Sequence, residues 1–316
     1  MKHYLSINDL DDLKKTVLEA IEIKKNPLAD SDLGKGKTIC LLFFNNSLRT
    51  RLSTQKAAHQ LGLNPIVMNF GSEGWQLEYE NGVVMNGSKS EHVKEAAKVI
   101  EQYCDIVAIR AFASLTDKEK DRAELVLNSF KKYSSIPIVN MESATAHPLQ
   151  ALADAITLEE YTKKPKPKVV LSWAPHPKAL PQAVANSFVE MMQLQNAEFV
   201  ITHPKGYELD PEITKNSQIE YDQEKAFKNA DFVYVKNWSS FKDYGKVLHS
   251  DPSWCISKNK MDLTSNGKFM HCLPVRRNVV VSDEVIDSKN SLVIQQANNR
   301  TYAAQIVLKK ILESYE

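Results

Sequence analysis

Cysteine is scarce in this chain, and the spacing of the few cysteines excludes two kinds of site. The 316 residues include 4 cysteines, and none of them forms a CxxC pair. The sequence therefore predicts neither a zinc site nor a disulfide framework. Cys40 and Cys104 lie in apolar runs of strand length, so we expect both to be core residues.

A net charge of one sign and long apolar runs are also missing. The 40 basic and 39 acidic residues give a formal net charge of +1, so no global attraction to nucleic acid or to an anionic membrane is expected. No apolar run approaches the roughly 20 residues of a membrane-spanning helix, and residues 1–6 lack the apolar core of a signal peptide. We predict a cytoplasmic protein that binds neither nucleic acid nor membrane, in which any anion site is local.

The chain does contain apolar, strand-like runs that alternate with helical patterns. Its 43% hydrophobic content is enough for substantial cores. The predicted strands are 38–44, 65–70, 105–112, 137–141, 168–174, 197–203, 231–238, 268–273 and 291–295. The helical patterns between them include 91–103, 121–133 and 182–194. Such alternation indicates an α/β protein with parallel sheets built from βαβ units.

A polar, proline-punctuated segment marks the clearest break in composition. It covers residues 163–168 and follows a predicted helix at 151–161. We place the domain boundary at about residue 150, which gives domains 1–150 and 151–316 with that helix as a bridge. The closing helix is predicted at 299–314, after the last strand.

Hydroxyl and guanidinium side chains cluster after the first predicted strand. Ser47, Arg49 and Thr50 lie between strand 38–44 and a helical pattern at 48–61. The free N–H groups and the positive dipole end of a helix N-terminus bind phosphate, and these side chains would add donors. Taken alone, Ser47 fits equally well as an ordinary helix cap before surface arginines.

A nearby glycine-rich segment imitates a nucleotide-binding loop. Residues 34–38 read Gly-Lys-Gly-Lys-Thr, like the end of a P-loop, but Ser31 stands where the motif requires its first glycine. The segment also precedes its strand, so its backbone is not placed to hold a phosphate between strand and helix. No nucleotide site is expected there.

Other polar side chains follow the carboxyl ends of the predicted strands, where open α/β sheets bind their ligands. These are Arg110, Glu142, His176, Lys236, His271, Cys272 and Arg300. Their collection at one end of the strands predicts a ligand site.

Three segments resemble the signatures of the carbamoyltransferase family. They are Ser47-Leu48-Arg49-Thr50, His147-Pro148-Leu149-Gln150 and His271-Cys272-Leu273-Pro274, in the same order and spread over nearly the whole chain. The resemblance implies two domains, each a mainly parallel sheet flanked by helices, with the final helix, residues 299–316, packing back on the first domain. Domain 1–150 would bind carbamoyl phosphate and domain 151–316 an acceptor amine. No metal and no cofactor are expected.

The resemblance also implies the residues that handle carbamoyl phosphate. The phosphate would be bound by Ser47, the N–H of Leu48, Arg49, Thr50 and Arg300, and the carbamoyl group by His147, Gln150, Cys272 and Leu273. Arg110 would bind either the phosphate or the carbonyl oxygen. Arg110, His147 and Cys272 are the predicted catalytic residues. In the family a loop corresponding to 71–87 reaches the neighbouring subunit's ligand, which implies a homotrimer in which Trp75 completes the next site. The alternative is that Trp75 covers its own domain.

The acceptor residues resemble the N-acylornithine branch of the family, the N-acetylornithine and N-succinylornithine carbamoyltransferases. Lys236 stands where ornithine enzymes carry an aspartate followed by Ser-Met-Gly, and a lysine repels an α-ammonium but attracts a carboxylate. We therefore expect Glu142 to hold the δ-amine, while His176, Lys236, Cys272 and Arg276 bind and position the acceptor. Aspartate as acceptor would leave Glu142 without a role.

The acyl group is predicted from Ser90. Acetyl-specific relatives carry a glutamate and succinyl-specific relatives a proline in the matching loop, and Ser90 removes the glutamate's repulsion of a second carboxylate. We predict carbamoyl transfer to N-succinyl-L-ornithine, giving N-succinyl-L-citrulline and phosphate in arginine biosynthesis. N-acetyl-L-ornithine is the alternative acceptor, and free ornithine is a less favoured one. A further alternative is a non-catalytic carbamoyltransferase-like protein.

Overall fold

The chain forms two compact units in the computed structural model, which describes residues 1–315. Unit 1 comprises Met1–Leu149 together with the chain from Arg300 onward, and unit 2 comprises Gln150–Asn299. The assignment of one ligand to each of the domains 1–150 and 151–316 stays a prediction.

Unit 1 contains a parallel sheet flanked by helices. Its elements, in chain order, are α1 (Leu13–Lys25), β1 (Thr38–Phe43), α2 (Arg49–Gln60), β2 (Asn64–Asn69), β3 (Leu77–Glu78), β4 (Glu91–His92), α3 (Val93–Ile100), β5 (Ile106–Arg110), α4 (Lys118–Arg122), α5 (Leu125–Tyr133) and β6 (Ile138–Glu142). The main sheet has the order β2-β1-β5-β6, and β3 pairs with β4 in a short separate ladder. Because the strands are parallel, the carboxyl ends of β1, β5 and β6 meet at one edge.

Unit 2 repeats this architecture. Its elements are α6 (Pro148–Tyr161, beginning in unit 1), β7 (Lys168–Trp173), α7 (Ala183–Gln193), β8 (Glu198–Thr202), α8 (Pro211–Thr214), β9 (Gln218–Glu220), α9 (Gln223–Phe227), β10 (Phe232–Lys236), α10 (Lys258–Met261), β11 (Lys268–Met270), α11 (Asp283–Ile286) and α12 (Val293–Glu313, ending in unit 1). The parallel sheet has the order β11-β10-β7-β8-β9. Its central strands are buried almost throughout, as expected when helices cover both faces of a sheet.

The C-terminal helix packs on unit 1, as the family resemblance implied. Lys310 pairs with Glu19 of α1, and Lys309 Nζ lies 2.6 Å from Asp30 Oδ2. Gln305 Nε2 donates to the carbonyl oxygen of Pro27 over 2.7 Å. The end of the chain is therefore part of the unit that contains its beginning.

The predicted strand 291–295 is wrong. Ser291 forms one isolated bridge to Phe269, and α12 begins two residues later at Val293. The run is short and apolar, and periodicity alone does not distinguish such a strand from the start of a buried helix. The predicted helix 121–133 is also interrupted, because Glu124 adopts a left-handed conformation with φ 48° between α4 and α5.

Other sequence predictions about burial are confirmed. Cys40 and Cys104 are each 7% exposed and lie in the core of unit 1. Among residues 1–315, the structure contains no helix long and apolar enough to cross a membrane.

Candidate active site

The start of α2 presents hydroxyl and guanidinium groups beyond the carboxyl end of β1. Ser47 Oγ accepts a hydrogen bond from the N–H of Thr50 over 3.2 Å, although the helix itself begins only at Arg49. The first turn carries no acidic side chain that would neutralise the positive end of the helix dipole. The buried Nε–H of Arg49 makes no hydrogen bond to any of residues 1–315. This turn is thus suited to an anion.

Arg110, the last residue of β5, fixes the loop that leads into α2. Its Nη1 donates to the carbonyl oxygens of Asn45 and Asn46 over 2.9 and 2.5 Å. The guanidinium also lies over the ring of Phe112, 4.0 Å from the ring centroid. Burial lowers the pKa of Arg110, and the nearby carboxylate of Glu142 offsets only part of this effect. The guanidinium nevertheless stays charged.

His147 and Arg300 join this group within unit 1. Arg300 Nη2 donates to Thr50 Oγ1 over 2.6 Å and lies 3.5 Å from His147 Nε2. Both side chains are nearly inaccessible to solvent. Together with the buried Arg110 and the partly exposed Arg49 they form a largely buried cluster, called here the arginine cluster, at the carboxyl edge of the sheet.

Glu142 supplies the carboxylate of the arginine cluster. Its Oε2 lies 3.2 Å from Arg110 Nη2 and 3.3 Å from His147 Nε2. Glu142, which was predicted to hold the acceptor amine, thus contacts Arg110 and His147, two residues predicted to bind carbamoyl phosphate. Because Arg49, Arg110 and Arg300 outnumber this carboxylate, the cluster favours a further anion.

Unit 2 brings three predicted acceptor residues together. Arg276 Nε donates to His176 Nε2 over 3.1 Å, and His176 Nδ1 lies 2.9 Å from the carbonyl oxygen of Lys178. Burial lowers the pKa of His176, and the charges of Arg276 and Lys236 lower it further. The lowered pKa favours the neutral imidazole at pH 7, and the cations around it suit a carboxylate ligand.

Three histidines with lowered pKa values predict how stability depends on pH. Burial is the largest cause for His3, His176 and His203. In the unfolded chain these histidines become protonated as the pH falls through about 6.5. In the folded chain they become protonated only at lower pH. Their contribution to stability is therefore complete above pH 6.5 and lost as the pH falls through the lowered values.

We expect the melting temperature to fall between pH 7 and pH 5, and to fall less steeply in the His203→Gln variant. Scanning calorimetry across this range measures both slopes. A His59→Gln variant, in which an exposed histidine is changed, should keep the wild-type slope, and equal slopes in all three proteins would contradict the prediction.

Cys272 and Leu273 follow β11 in a tightly bonded turn. The N–H of Leu273 donates to His271 Nδ1 over 2.9 Å, and the N–H of His271 donates to Gln296 Oε1 over 3.0 Å. Cys272 is 6% exposed. His271 is the candidate base nearest to Cys272 in the sequence. Its side chain and its N–H group both form hydrogen bonds that hold the turn.

Trp75 lies just before β3 and Ser90 just before β4, on two neighbouring loops of unit 1. Trp75 is 56% exposed, and its Nε1 donates to Glu91 Oε2 over 2.8 Å. The N–H of Ser90 donates to the carbonyl oxygen of Gln76 over 3.2 Å, beside the β3-β4 ladder. These two hydrogen bonds place the exposed aromatic side chain close to the predicted specificity residue.

Gln150 contacts a residue that the sequence analysis missed. Its Nε2 donates over 2.8 Å to Oδ1 of Asp154, which is fully buried one turn later in α6. The spacing of four residues places the two side chains on one helix face, and this was the available signal. Gln296, also missed, lies in α12, directly after the segment wrongly predicted as a strand. Among residues 1–315 no group of at least three histidine, cysteine or acidic side chains is arranged to hold a metal ion.

Family models match both halves of the chain. Residues 2–160 match the carbamoyl-P binding domain of aspartate/ornithine carbamoyltransferases. Residues 181–311 match the Asp/Orn binding domain of the same family.

Individual relatives are similar over their full length. The chain is 51% identical to an N-succinylornithine carbamoyltransferase of Bacteroides fragilis, covering 99% of each chain. It is 37% identical to an N-acetylornithine carbamoyltransferase of Xanthomonas campestris, covering 99% of this chain and 98% of the relative.

Solved structures of similar fold include an N-acetyl-L-ornithine transcarbamylase. A glutamate-to-serine variant of that enzyme, complexed with carbamyl phosphate and N-succinyl-L-norvaline, superposes with a TM-score of 0.92 at 36% identity, covering 98% of this chain and 100% of the other. An acetylornithine transcarbamylase complexed with acetylcitrulline gives a TM-score of 0.91 at 36% identity, covering 98% and 99% of the two chains.

Proposed function

Since this chain belongs to the aspartate/ornithine carbamoyltransferase family, we propose that it transfers the carbamoyl group of carbamoyl phosphate to the δ-amine of N-succinyl-L-ornithine. The products are N-succinyl-L-citrulline and phosphate, as a step of arginine biosynthesis. The arginine cluster at the start of α2 is the observation that carries the proposal, because it is a buried, cationic site for a phosphate. The cytoplasmic location predicted from the sequence remains part of it.

The phosphate is bound by donors from several elements of unit 1. The N-terminal turn of α2 offers Ser47, Thr50 and the N–H of Leu48, and guanidinium groups suit bidentate recognition of the phosphate oxygens. Arg49, Arg110 and Arg300 provide these groups. Their burial strengthens each interaction with the anion, because the local dielectric is lower than that of water.

Transfer begins when the neutral δ-amine attacks the carbonyl carbon. A C–N bond forms, and the carbonyl oxygen becomes an oxyanion to which His147 donates. The oxyanion then collapses, the C–O bond to phosphate breaks, and the departing phosphate takes the proton that the attacking nitrogen loses. Gln150 Oε1 accepts a hydrogen bond from the carbamoyl NH₂ group, and the Cys272–Leu273 turn positions the amine. Orientation of this kind accounts for a large part of such a barrier.

Glu142 holds the δ-amine of the acceptor in this proposal. Its Oε2 lies 3.2 Å from Arg110 Nη2 and 3.3 Å from His147 Nε2. The carboxylate therefore lies beside the groups that bind carbamoyl phosphate, where it can accept a hydrogen bond from the δ-amine.

The acceptor's carboxylates are bound by the cations of unit 2. N-succinyl-L-ornithine carries an α-carboxylate and a succinyl carboxylate, and Lys236 and Arg276 provide positive charge for them. His176, neutral and bonded to Arg276, orients the guanidinium. The 51% identity to an N-succinylornithine carbamoyltransferase supports this acceptor over N-acetyl-L-ornithine.

Ser90 selects the acyl group in this proposal. By the family resemblance of this loop, Ser90 stands where acetyl-specific relatives carry a glutamate. A glutamate-to-serine variant of N-acetyl-L-ornithine transcarbamylase, complexed with carbamyl phosphate and N-succinyl-L-norvaline, supports the assignment. A serine leaves space for the succinyl chain and does not repel its carboxylate.

Replacing Ser90 by glutamate should shift the preference towards the acetyl substrate. Repulsion between two carboxylates about 4 Å apart ranges from about 1 kcal/mol in bulk water to about 4 kcal/mol near a protein surface. The ratio of kcat/KM for the succinyl and acetyl substrates should therefore fall about fivefold or more. Steady-state kinetics with both acceptors measure the ratio. Ser88→Glu adds the same charge on the same exposed loop and should change the ratio little. An equal shift in both variants would contradict the role of Ser90.

The homotrimer with Trp75 completing a neighbouring site also belongs to the proposal. If so, mixing inactive Trp75→Ala and Arg49→Ala proteins under subunit exchange should restore activity, because mixed oligomers contain sites with both residues intact. Mixing Arg49→Ala with His147→Ala is the matched control, since both residues belong to the arginine cluster of one subunit. Exchange without recovery of activity in the first mixture would show that Trp75 acts within its own subunit.

The direct test of the proposed function uses purified protein, carbamoyl phosphate and N-succinyl-L-ornithine. We expect N-succinyl-L-citrulline, identified by mass spectrometry, and phosphate in equal amounts. Phosphate release that does not require the acceptor, or no turnover at all, would contradict the proposal.

A further inference from the structure

A fully buried aspartate connects two segments that the proposed mechanism uses. Asp154 Oδ1 accepts hydrogen bonds from Gln150 Nε2 and Gln296 Nε2, over 2.8 and 2.7 Å. Gln296 Oε1 in turn accepts from the N–H of His271, the first residue of the turn that carries Cys272. All these residues belong to unit 2, and the Asp154 side chain is inaccessible to solvent.

The direction of these hydrogen bonds fixes the orientation of both glutamine amides. A side-chain amide has one donor end and one acceptor end. Because Asp154 Oδ1 takes the donor end of each amide, the acceptor end of each must point elsewhere. Gln296 presents its carbonyl oxygen to His271. The buried Oε1 of Gln150 makes no hydrogen bond to any of residues 1–315, so it is available to a ligand that donates.

A carbamoyl NH₂ group is a donor of this kind. A Gln150 amide turned by 180° would present its own NH₂ to the carbamoyl NH₂, and the two donors would repel each other. The orientation held by Asp154 is therefore the one that carbamoyl binding requires. Tyr234 lies against the same carboxylate, and burial, Asp154 and Cys272 raise its pKa well above the ordinary value, so the phenol stays neutral beside Cys272.

We propose that Asp154 is a positioning residue, which holds Gln150 Oε1 towards the carbamoyl amide and, through Gln296, holds the turn that carries Cys272. The proposal rests on the proposed carbamoyl transfer. Asp154 touches neither substrate in it and acts through the two glutamines.

Kinetics of Asp154→Asn test this role. An asparagine of the same shape can turn its own NH₂ towards the glutamines, which removes the fixed orientation. We expect kcat to fall about 10- to 100-fold, the scale of a misplacement by about 1 Å, with little change in the affinity for carbamoyl phosphate. Asp121→Asn, which changes another buried aspartate that accepts from backbone N–H groups, should lower stability without changing kcat.

A double-mutant cycle separates positioning from a general structural effect. If Asp154 acts through Gln150, Asp154→Asn should have far less effect on kcat in a Gln150→Ala background than in the wild type. Additive losses, or a kcat of Asp154→Asn within twofold of the wild type, would overturn the proposal.

Hydrogen exchange of side-chain amides gives a readout that needs no activity. In the ¹⁵N-labelled wild type, the NH₂ groups of Gln150 and Gln296 should be protected, and the protection should fall in a folded Asp154→Asn protein. Rapid exchange of both groups in the wild type would overturn the positioning role even if carbamoyl transfer is observed. Protection without any carbamoyl transfer would refute the proposed function and leave the hydrogen-bonded network intact, so the two failures are distinguishable.

Discussion

Arg49→Ala should lose most of the affinity for carbamoyl phosphate. Arg49 begins α2 in the arginine cluster, and its buried Nε–H makes no hydrogen bond to residues 1–315. A hydrogen bond to a charged group contributes about 1.5 to 3 kcal/mol, and a bidentate guanidinium makes two. We therefore expect the dissociation constant to rise about 100- to 10,000-fold, as measured by isothermal titration calorimetry.

Arg51→Ala provides the matched control for that measurement. It removes the same charge from the same helix, but Arg51 lies near Glu73 and outside the cluster. Its effect on the dissociation constant should be much smaller. Unchanged affinity in Arg49→Ala, or equal losses in the two variants, would contradict the assignment of the phosphate site.

His147→Ala should lower kcat about 100- to 1,000-fold, the effect of removing one oxyanion donor. His147 is buried beside Arg300 and Glu142, at the carboxyl edge of the unit 1 sheet. The affinity for carbamoyl phosphate should fall much less, because the phosphate is bound chiefly by the arginines. Rapid-mixing kinetics at saturating substrates isolate kcat from binding.

An exposed histidine on α2 is the control for this substitution. His59→Ala should leave kcat unchanged, since the side chain is at the surface. A kcat of His147→Ala within tenfold of the wild type would show that His147 does not stabilise the oxyanion, and a large loss of affinity at constant kcat would make it a binding residue.

Much of the fold could be predicted from the sequence because its strands are buried on both faces. Such strands read as continuous apolar runs, and β1 and β7 begin where predicted and end one residue earlier. The same feature explains the error at 291–295, where an apolar run belongs to the first turn of a helix. The two-residue strands β3 and β4 are too short for any periodicity to register.

The candidate site was predictable where its residues follow a strand in sequence. The structure brings Thr50, Arg110 and His147 together, as expected for the carboxyl edge of a parallel sheet. Arg300 joins them from within α12, so its predicted position after a strand is wrong. The contacts of Glu142 with Arg110 and His147, and those of Asp154 with two glutamines, depend on side-chain packing between distant segments. Residues 154 and 296 are 142 positions apart, and strand-end reasoning does not detect such a pair.

The central claim is that this chain carbamoylates an N-acylated ornithine, with preference for the succinyl form. A single competition assay tests it most directly: carbamoyl phosphate is offered with equal amounts of N-succinyl-L-ornithine, N-acetyl-L-ornithine and L-ornithine, and the products are resolved by mass spectrometry. The account predicts that N-succinyl-L-citrulline is the main product and that free citrulline is negligible. A predominance of N-acetyl-L-citrulline would contradict the role given to Ser90, and a predominance of free citrulline would contradict the role given to Lys236.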